Sequence, residues 1–329
     1  KGRKNPVGLS IRGAENANVL FDGMLVGTKE DTRFIDFLPA GVIEDMRVIR
    51  DSSGLIYGPP QLSGAGGAMG FGGVIDLRLL DPPEGHHGEM RLDIGSHGET
   101  TQHVHATGAA TDDLGYVLSL DRDSYDGPDD ENMAHEYWHG LARLVYHYCG
   151  DSTITFNAFR TDGERELQKA GAGLVFTGWR EEYDPTETNI FTLKLNHVWN
   201  DDASTTIETY YRSYEATYIR HDLGTEDDLR ETKKGIALRQ TFVFPENNTL
   251  RIGGDASTWR NPTGKLYYIG LSRQEEAYSL YAQDEWCVIP EKLSIDVGLR
   301  WDRTYLDEGV IANGPGFVAG KPVTVQDQW

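Results

Sequence analysis

The first stretch that could hold a ligand runs from Ser63 to Gly73, where glycine stands at 64, 66, 67, 70, 72 and 73. Glycine-rich loops bring backbone N–H groups close to phosphate. The spacing here contains neither G-x-G-x-x-G nor G-x-x-x-x-G-K-[ST], and the loop follows a turn rather than a strand, so a nucleotide cradle is not expected. The chain has 10 histidines. His86 and His87 are adjacent, and His103 and His105 share one face of a predicted strand. Neither pair has a carboxylate or cysteine partner at ligand spacing, so they read as solvated or cavity-lining groups and no metal is expected. No G-x-S-x-G nucleophile elbow and no H-E-x-x-H zinc motif is read, and no cofactor or enzymatic activity is predicted. Cys149 and Cys287, the only cysteines, are too few for a disulfide framework.

Charge narrows the partners. The 329 residues carry a formal net charge of −21, which argues against nucleic acid, whose phosphates need a basic footprint. No run of 18 or more apolar residues exists, so no transmembrane helix is predicted. A transmembrane barrel escapes that test, because its lipid-facing and lumen-facing residues alternate.

The elements that must position these residues fall into two textures. From Gly88 onward the sequence is a series of period-two segments. Leu293, Ile295, Val297, Leu299 and Trp301 take one face of a strand, and Ser294, Asp296, Gly298, Arg300 and Asp302 the other. The same template predicts strands at 88–95, 101–109, 115–125, 138–148, 152–162, 190–200, 204–215, 234–244, 248–259, 275–287 and 292–304. Tight turns at Gly150-Asp151, Asp201-Asp202, Pro245-Glu246-Asn247 and Pro290-Glu291 alternate with long polar segments at 126–137, 163–189, 216–233 and 260–274. Alternating short and long connections suit an outer-membrane barrel rather than a soluble sandwich. Tyr137, Trp138, Trp199, Trp259, Trp286 and Trp301, near strand ends, are candidates for interfacial girdles.

Before Gly88 the texture differs. Asp22-Gly23 is a turn signal between Val19–Phe21 and Met24–Val26. Pro39 can open a short helix to Ile43. Met46–Arg50 alternates as a strand with one buried face, Ser52 can cap a short helical turn over Ser53–Tyr57, and Val74–Leu80 alternates again. Asp81-Pro82-Pro83-Glu84-Gly85 breaks structure and marks a domain boundary.

Three pieces of this part resemble, in order, the plug domain of TonB-dependent outer-membrane receptors. Ser10-Ile11-Arg12-Gly13 is similar to the "IRG" box. Val19-Leu20-Phe21-Asp22-Gly23 is similar to the "vLvDG" turn. Ile43-Glu44 through Arg50, then Tyr57-Gly58, then Gly72-Gly73-Val74-Ile75, is similar to the "IErIEVIRG…YG…GGVI" signature. Asp51 in place of glycine, the long Pro59–Met69 link and Asp76-Leu77 in place of Asn-Ile depart from that pattern. The resemblance implies an all-β transmembrane barrel, partial at about eleven antiparallel strands, with a small α/β plug domain. The plug's C-terminal part would occupy 1–83 and the barrel's N-terminal half 84–329.

The resemblance also implies where the protein sits and what it does. It would carry out TonB-dependent import of a scarce substrate, foremost a ferric siderophore, across the outer membrane of a Gram-negative bacterium. Cobalamin, haem, saccharides or peptides are alternative substrates. A passive porin or a soluble all-β binding domain are the rival classes. Implied partners are TonB, whose box is not in this sequence, outer-membrane lipid and the small ligand. The plug motif residues are Arg12, Gly13, Asp22, Gly23, Glu44, Arg50, Tyr57, Gly58, Gly72 and Gly73. Plug arginines at these positions pair with barrel carboxylates in the family. Alternation turns Glu285 inward, so the expected tether joins Arg12 or Arg50 to Glu285. Tyr57, Met69 and Phe71 are candidates for contact with substrate at the plug apex.

Overall fold

The computed structural model describes residues 18–24, 40–49, 56–57, 74–129, 131–168, 180–245, 248–263, 272–289 and 292–307. Three strands form a small sheet: β1 (Asn18–Phe21), β2 (Ile43–Ile49) and β3 (Val74–Leu79). Eleven more follow: β4 (His87–Ile94), β5 (Thr100–Ala109), β6 (Leu114–Tyr125), β7 (His135–Cys149), β8 (Ser152–Leu167), β9 (Glu181–Asn200), β10 (Ala203–Arg220), β11 (Thr225–Phe244), β12 (Asn248–Asn261), β13 (Arg273–Ile289) and β14 (Leu293–Asp307). They pair strictly in sequence order as one antiparallel sheet, from β4 to β14. Each period-two segment identified in the sequence forms one of these strands.

Alternation explains the sheet. On one face stand exposed apolar side chains: Met90, Leu92, Leu118, Leu120, Leu144, Phe156, Phe191, Leu193, Ile236, Leu238, Ile252, Leu280, Val297 and Leu299. Leu299 is 78% exposed. So large an apolar surface suits a hydrocarbon environment, not water. The opposite face carries Thr107, Ser119, Arg143, Asn157, Thr192, Glu208, Lys233 and Gln283, all buried. The small sheet touches this inner face at β5, β7 and β14 (below), so the wall curls round it.

The small sheet has the order β1-β3-β2, with β1 parallel and β2 antiparallel to β3. Val19, Phe21, Met24, Val42, Ile75, Leu77 and Leu79 form one apolar core with Val117, Tyr137, Leu141, Phe159 and Ile190 of the wall. Phe21 and Phe159 meet with ring centroids 6.2 Å apart. Three sequence expectations change here. Central β3 is buried on both faces, not one: Ile75, Leu77 and Leu79 pack into the core with the wall, and Val74 and Asp76 on the opposite face are buried too. In β2 the apolar Met46 and Val48 are exposed at 59% and 41%, so the predicted buried face is not formed by the described residues. The predicted helix from Pro39 reduces to a single 3-10 turn at Ala40–Val42, and no α-helix occurs among the described residues.

The predicted polar loop 216–233 is also corrected. β10 and β11 pair through it, from Ala216 with Leu229 to Arg220 with Thr225, and turn only at 221–224. Of the girdle aromatics, Trp138, Trp199, Trp286 and Trp301 are exposed on the outer face, whereas Tyr137 and Trp259 are buried on the inner one.

Candidate functional site in the lumen

The site is built outward from the turn after β1. Asp22 and Gly23 both have positive φ, 52° and 86°, and Phe21 and Met24 exchange backbone hydrogen bonds across them. This is the primed two-residue turn that Asp-Gly favours. The Gly23 N–H donates to the Asp76 carboxylate at 2.8 Å, fixing the turn against β3. Burial, more than the neighbouring Asp22 charge, pushes the Asp76 carboxyl above its ordinary range, while the Gly23 N–H opposes that shift.

The turn delivers Asp22 to the wall. Arg143 of β7 donates through Nη1 to Asp22 at 2.5 Å and through Nη2 to Asp81 at 2.6 Å. Asn157 of β8 donates to Asp22 at 3.2 Å and to Thr192 at 2.9 Å. Asp22 follows β1 and Asp81 follows β3, so one guanidinium staples both strands of the parallel pair to the wall. Arg143 and Asp22 are both buried, which makes the ion pair costly to break.

A second contact lies across the lumen at Ile56 and Tyr57. Arg300 of β14 donates to the Ile56 carbonyl at 3.0 Å and also holds Asp255 and Asp302, each at 2.8 Å. Arg239 of β11 hydrogen-bonds the Tyr57 hydroxyl. Burial is the main cause that pushes this hydroxyl's pKa up. Arg239 also lies 3.8 Å from Glu208, which pairs with Lys194 at 3.4 Å. Gly253, the cross-strand neighbour of Arg239 and Tyr281, leaves room for the Tyr281 ring: a Cβ there would lie 2.5 Å from the Tyr281 hydroxyl oxygen. At a third point Gly41 packs against the His103 ring of β5.

Between the small sheet and the wall lies a cavity of about 730 Å³. Asp22, Arg47, Asp76, Arg78, Arg143, Lys194, Glu208 and Arg239 line it. Farther from the short turns the lumen becomes aromatic and charged, with both signs present. Arg212 and Lys233 are buried there, with the Lys233 amine 5.7 Å from the Tyr210 ring centroid. Trp259 donates to Glu231 at 2.8 Å, and Leu167, Tyr183, Tyr214, Ala216, Tyr218 and Leu229 form a second buried cluster.

The fold is shared with solved structures of low sequence identity. The copper transporter OprC matches with a TM-score of 0.70 at 15% identity, over 89% of this chain and 48% of its own. The ferric-catecholate import receptor Fiu from E. coli K12 matches with a TM-score of 0.68 at 14% identity, over 97% of this chain and 59% of its own. The pyoverdine outer membrane receptor FpvA from Pseudomonas aeruginosa PAO1 matches with a TM-score of 0.65 at 12% identity, over 92% and 51%. The fold is that of TonB-dependent receptors. The chain spans about half the length of the receptors it matches. These neighbours are transport receptors, not enzymes. No protein-family model and no curated protein sequence matches the chain.

Within this TonB-dependent receptor fold, the sequence candidates divide. Arg12, Gly13, Arg50, Gly58, Met69, Phe71, Gly72 and Gly73 lie outside the described residues. Asp22, Gly23 and Tyr57 lie in the lumen contact. Glu44 is exposed on β2. Glu285 stands on the inner face, as alternation predicts, and accepts from Arg251 of β12 at 2.9 Å. Among the described contacts, acids and neutral acceptors of the small sheet and its connections meet arginines of the wall, while the expected tether from Arg12 or Arg50 lies outside the described residues.

The histidines also differ from expectation. His103 does have a carboxylate partner, Asp121, opposite it on β6. Sequence spacing hides the pair, because antiparallel register brings together residues 18 apart. His135-Glu136-Tyr137-Trp138-His139 also spells H-E-x-x-H, a string not among the sequence candidates. That pattern binds zinc only on a helix. Here it lies on β7, where His135 and His139 are about 13 Å apart along the strand and Glu136 points to the other face. Among the described residues no three His, Cys, Asp or Glu groups are placed to hold a metal ion.

Proposed function

We propose that the chain serves TonB-dependent uptake of a scarce solute across the outer membrane, with the small sheet as part of the plug and the eleven strands as part of the barrel. The observation that carries this reading is the position of the small sheet. It is packed by an apolar core and by Arg143 onto the inner face of a wall whose outer face is apolar. A passive porin has no such insert, and a soluble sandwich buries the outer face. Closing the pore requires pairing of the β4 and β14 edges, which are the ends of the described sheet.

A ferric siderophore is the substrate we favour. Two of the matched structures, by name, import ferric catecholates or bind pyoverdine. The test is uptake of radiolabelled iron chelates by cells expressing the full-length receptor, with and without TonB. Accumulation that needs both supports the reading. Accumulation without TonB favours a passive channel, and TonB-dependent uptake of another solute redirects the substrate.

A further inference from the structure

The outer face of the wall changes character beyond its apolar part. On β11 it runs from Leu238 and Ile236 to Lys234, Thr232 and Arg230, and then to Asp228 and Glu226. Arg260 of β12 stands opposite Thr232, so Lys234 and Arg230 are its two diagonal neighbours, each about 7–8 Å away. All three cations are exposed. We infer that Lys234 and Arg260 form a docking site for the phosphate headgroup of a lipid whose tails lie against Ile236 and Leu238. The inference rests on reading the wall as part of a membrane barrel.

Three observations support the site. First, neither cation has an acid opposite it. Lys234 stands between Tyr211 and Thr258, and Arg260 between Thr232 and Gln274. Glu276, diagonal to Arg260, already accepts from Gln274 and from the Tyr278 hydroxyl, each at 3.1 Å. Arg230, by contrast, has Glu215 at 3.9 Å. Like charges side by side repel, so an anion arriving at Lys234 and Arg260 relieves them. Second, this arrangement is local. Arg160 lies on the same cross-strand row as Arg260, through Asn189, Ser213 and Thr232. Yet Arg160 is neutralised by Glu187 at 2.8 Å and Asp162 at 3.1 Å, and Arg122 by Glu136 at 2.9 Å. The net charge of −21 also rules out a general excess of cations. Third, the order along β11 is apolar, cationic, then acidic, which matches tails, phosphate and water. A free anion needs no apolar surface beside its site, whereas a lipid does. The phosphate oxygens accept from the Arg260 fork and from the Lys234 ammonium.

The experiment titrates full-length receptor in detergent with diphosphoryl lipid A and counts bound lipid by native mass spectrometry. The heat-dependent gel shift of barrels checks folding. Each lysine or arginine near a membrane surface strengthens binding of anionic lipid about fivefold, so Lys234→Gln combined with Arg260→Gln is expected to weaken it about thirtyfold. Arg160→Gln is expected to bind as wild type does. Lipid A stripped of its phosphates is expected to bind wild type as weakly as intact lipid binds the double variant, and inorganic phosphate at equal concentration is expected to displace nothing. Equal binding by wild type and the double variant, or equal binding of intact and phosphate-free lipid, overturns the site. Displacement by inorganic phosphate overturns the lipid as its ligand. In each of these cases the barrel reading stands, because the receptor still needs detergent. A receptor that stays soluble when detergent is removed ends the barrel reading and the site with it.

Discussion

Arg143 concentrates the docking chemistry in one side chain. It is 5% exposed, it answers Asp22 and Asp81, and Asn157 supports the same Asp22 oxygen. Removing one partner of a buried pair leaves the other charge uncompensated, at a cost of about 3–5 kcal/mol. Arg143→Ala is therefore expected to loosen β1 and β3 while the wall stays folded. Faster hydrogen exchange at Val19–Phe21 and Val74–Leu77 with unchanged exchange in β9–β11 is the expected result; equal protection in the variant would refute the staple. Asp76 gives a pH dependence of defined sign. Burial raises its carboxyl pKa in the folded state, so the folded state binds more protons than the unfolded one just above the ordinary carboxylate range. Its contribution to stability accordingly falls as pH rises through that window, and the penalty is complete once pH passes the raised folded-state pKa. Asp76→Asn keeps an acceptor for the Gly23 N–H and removes the charge. It is expected to flatten the acid-side dependence of small-sheet protection without weakening it at pH 7, as read by hydrogen exchange of the Gly23 amide across pH. None of these contacts was legible in the sequence. Asp22 and Arg143 are 121 residues apart, and only the assembled fold puts a guanidinium opposite the Asp-Gly turn.

The strands show where a sequence pattern carries and where it stops. On β11 the outer face reads Phe244, Phe242, Gln240, Leu238, Ile236 toward the middle, then Lys234, Thr232, Arg230, Asp228, Glu226. The first half sets large apolar side chains against the smaller or polar inner neighbours Thr241, Arg239, Ala237 and Gly235 and is visible as alternation. The second half is polar on the outer face, where the strand rises beyond the apolar band, so contrast vanishes and 216–233 reads as loop although β10 and β11 continue through it. Period-two reading therefore recovers the embedded part of each strand and misses its extension. The small sheet failed differently: β3 is buried on both faces and β2 exposes Met46 and Val48, so neither follows a one-sided rule. The band on β11 has a direct test. Leu238→Arg places a charge on the outer face within the apolar half, where such a change costs about 2–4 kcal/mol near the bilayer midplane. Arg230→Leu, beyond the band, is expected to change little. Folding yield into lipid vesicles as a function of urea should fall for the first and not for the second; an equal response would place water, not lipid, against Leu238.

At the scale of the whole molecule, four tryptophans mark two levels on the outer face. Trp199 lies close to the turn at 201–202 and Trp286 close to the end of β13 at Ile289, while Trp138 and Trp301 lie at the far ends of apolar runs, next to Glu136 and Arg303 on the same face. Indole rings favour the boundary between headgroups and hydrocarbon, so two such levels define a slab and hence an orientation. Trp259 is the internal control, since it is 4% exposed and donates to Glu231 on the inner face. In full-length protein reconstituted with lipids brominated near the headgroup, single-tryptophan variants retaining 138, 199, 286 or 301 are expected to be quenched strongly, and the variant retaining 259 weakly. A quencher added to the outside water should then distinguish the 138 and 301 level from the 199 and 286 level, because only one lies at the outer surface. Uniform weak quenching of all five would mean that the apolar face is covered by protein, as in a soluble sandwich. Strong quenching of Trp259 would turn the wall inside out and remove the lumen in which Arg143 is held to act.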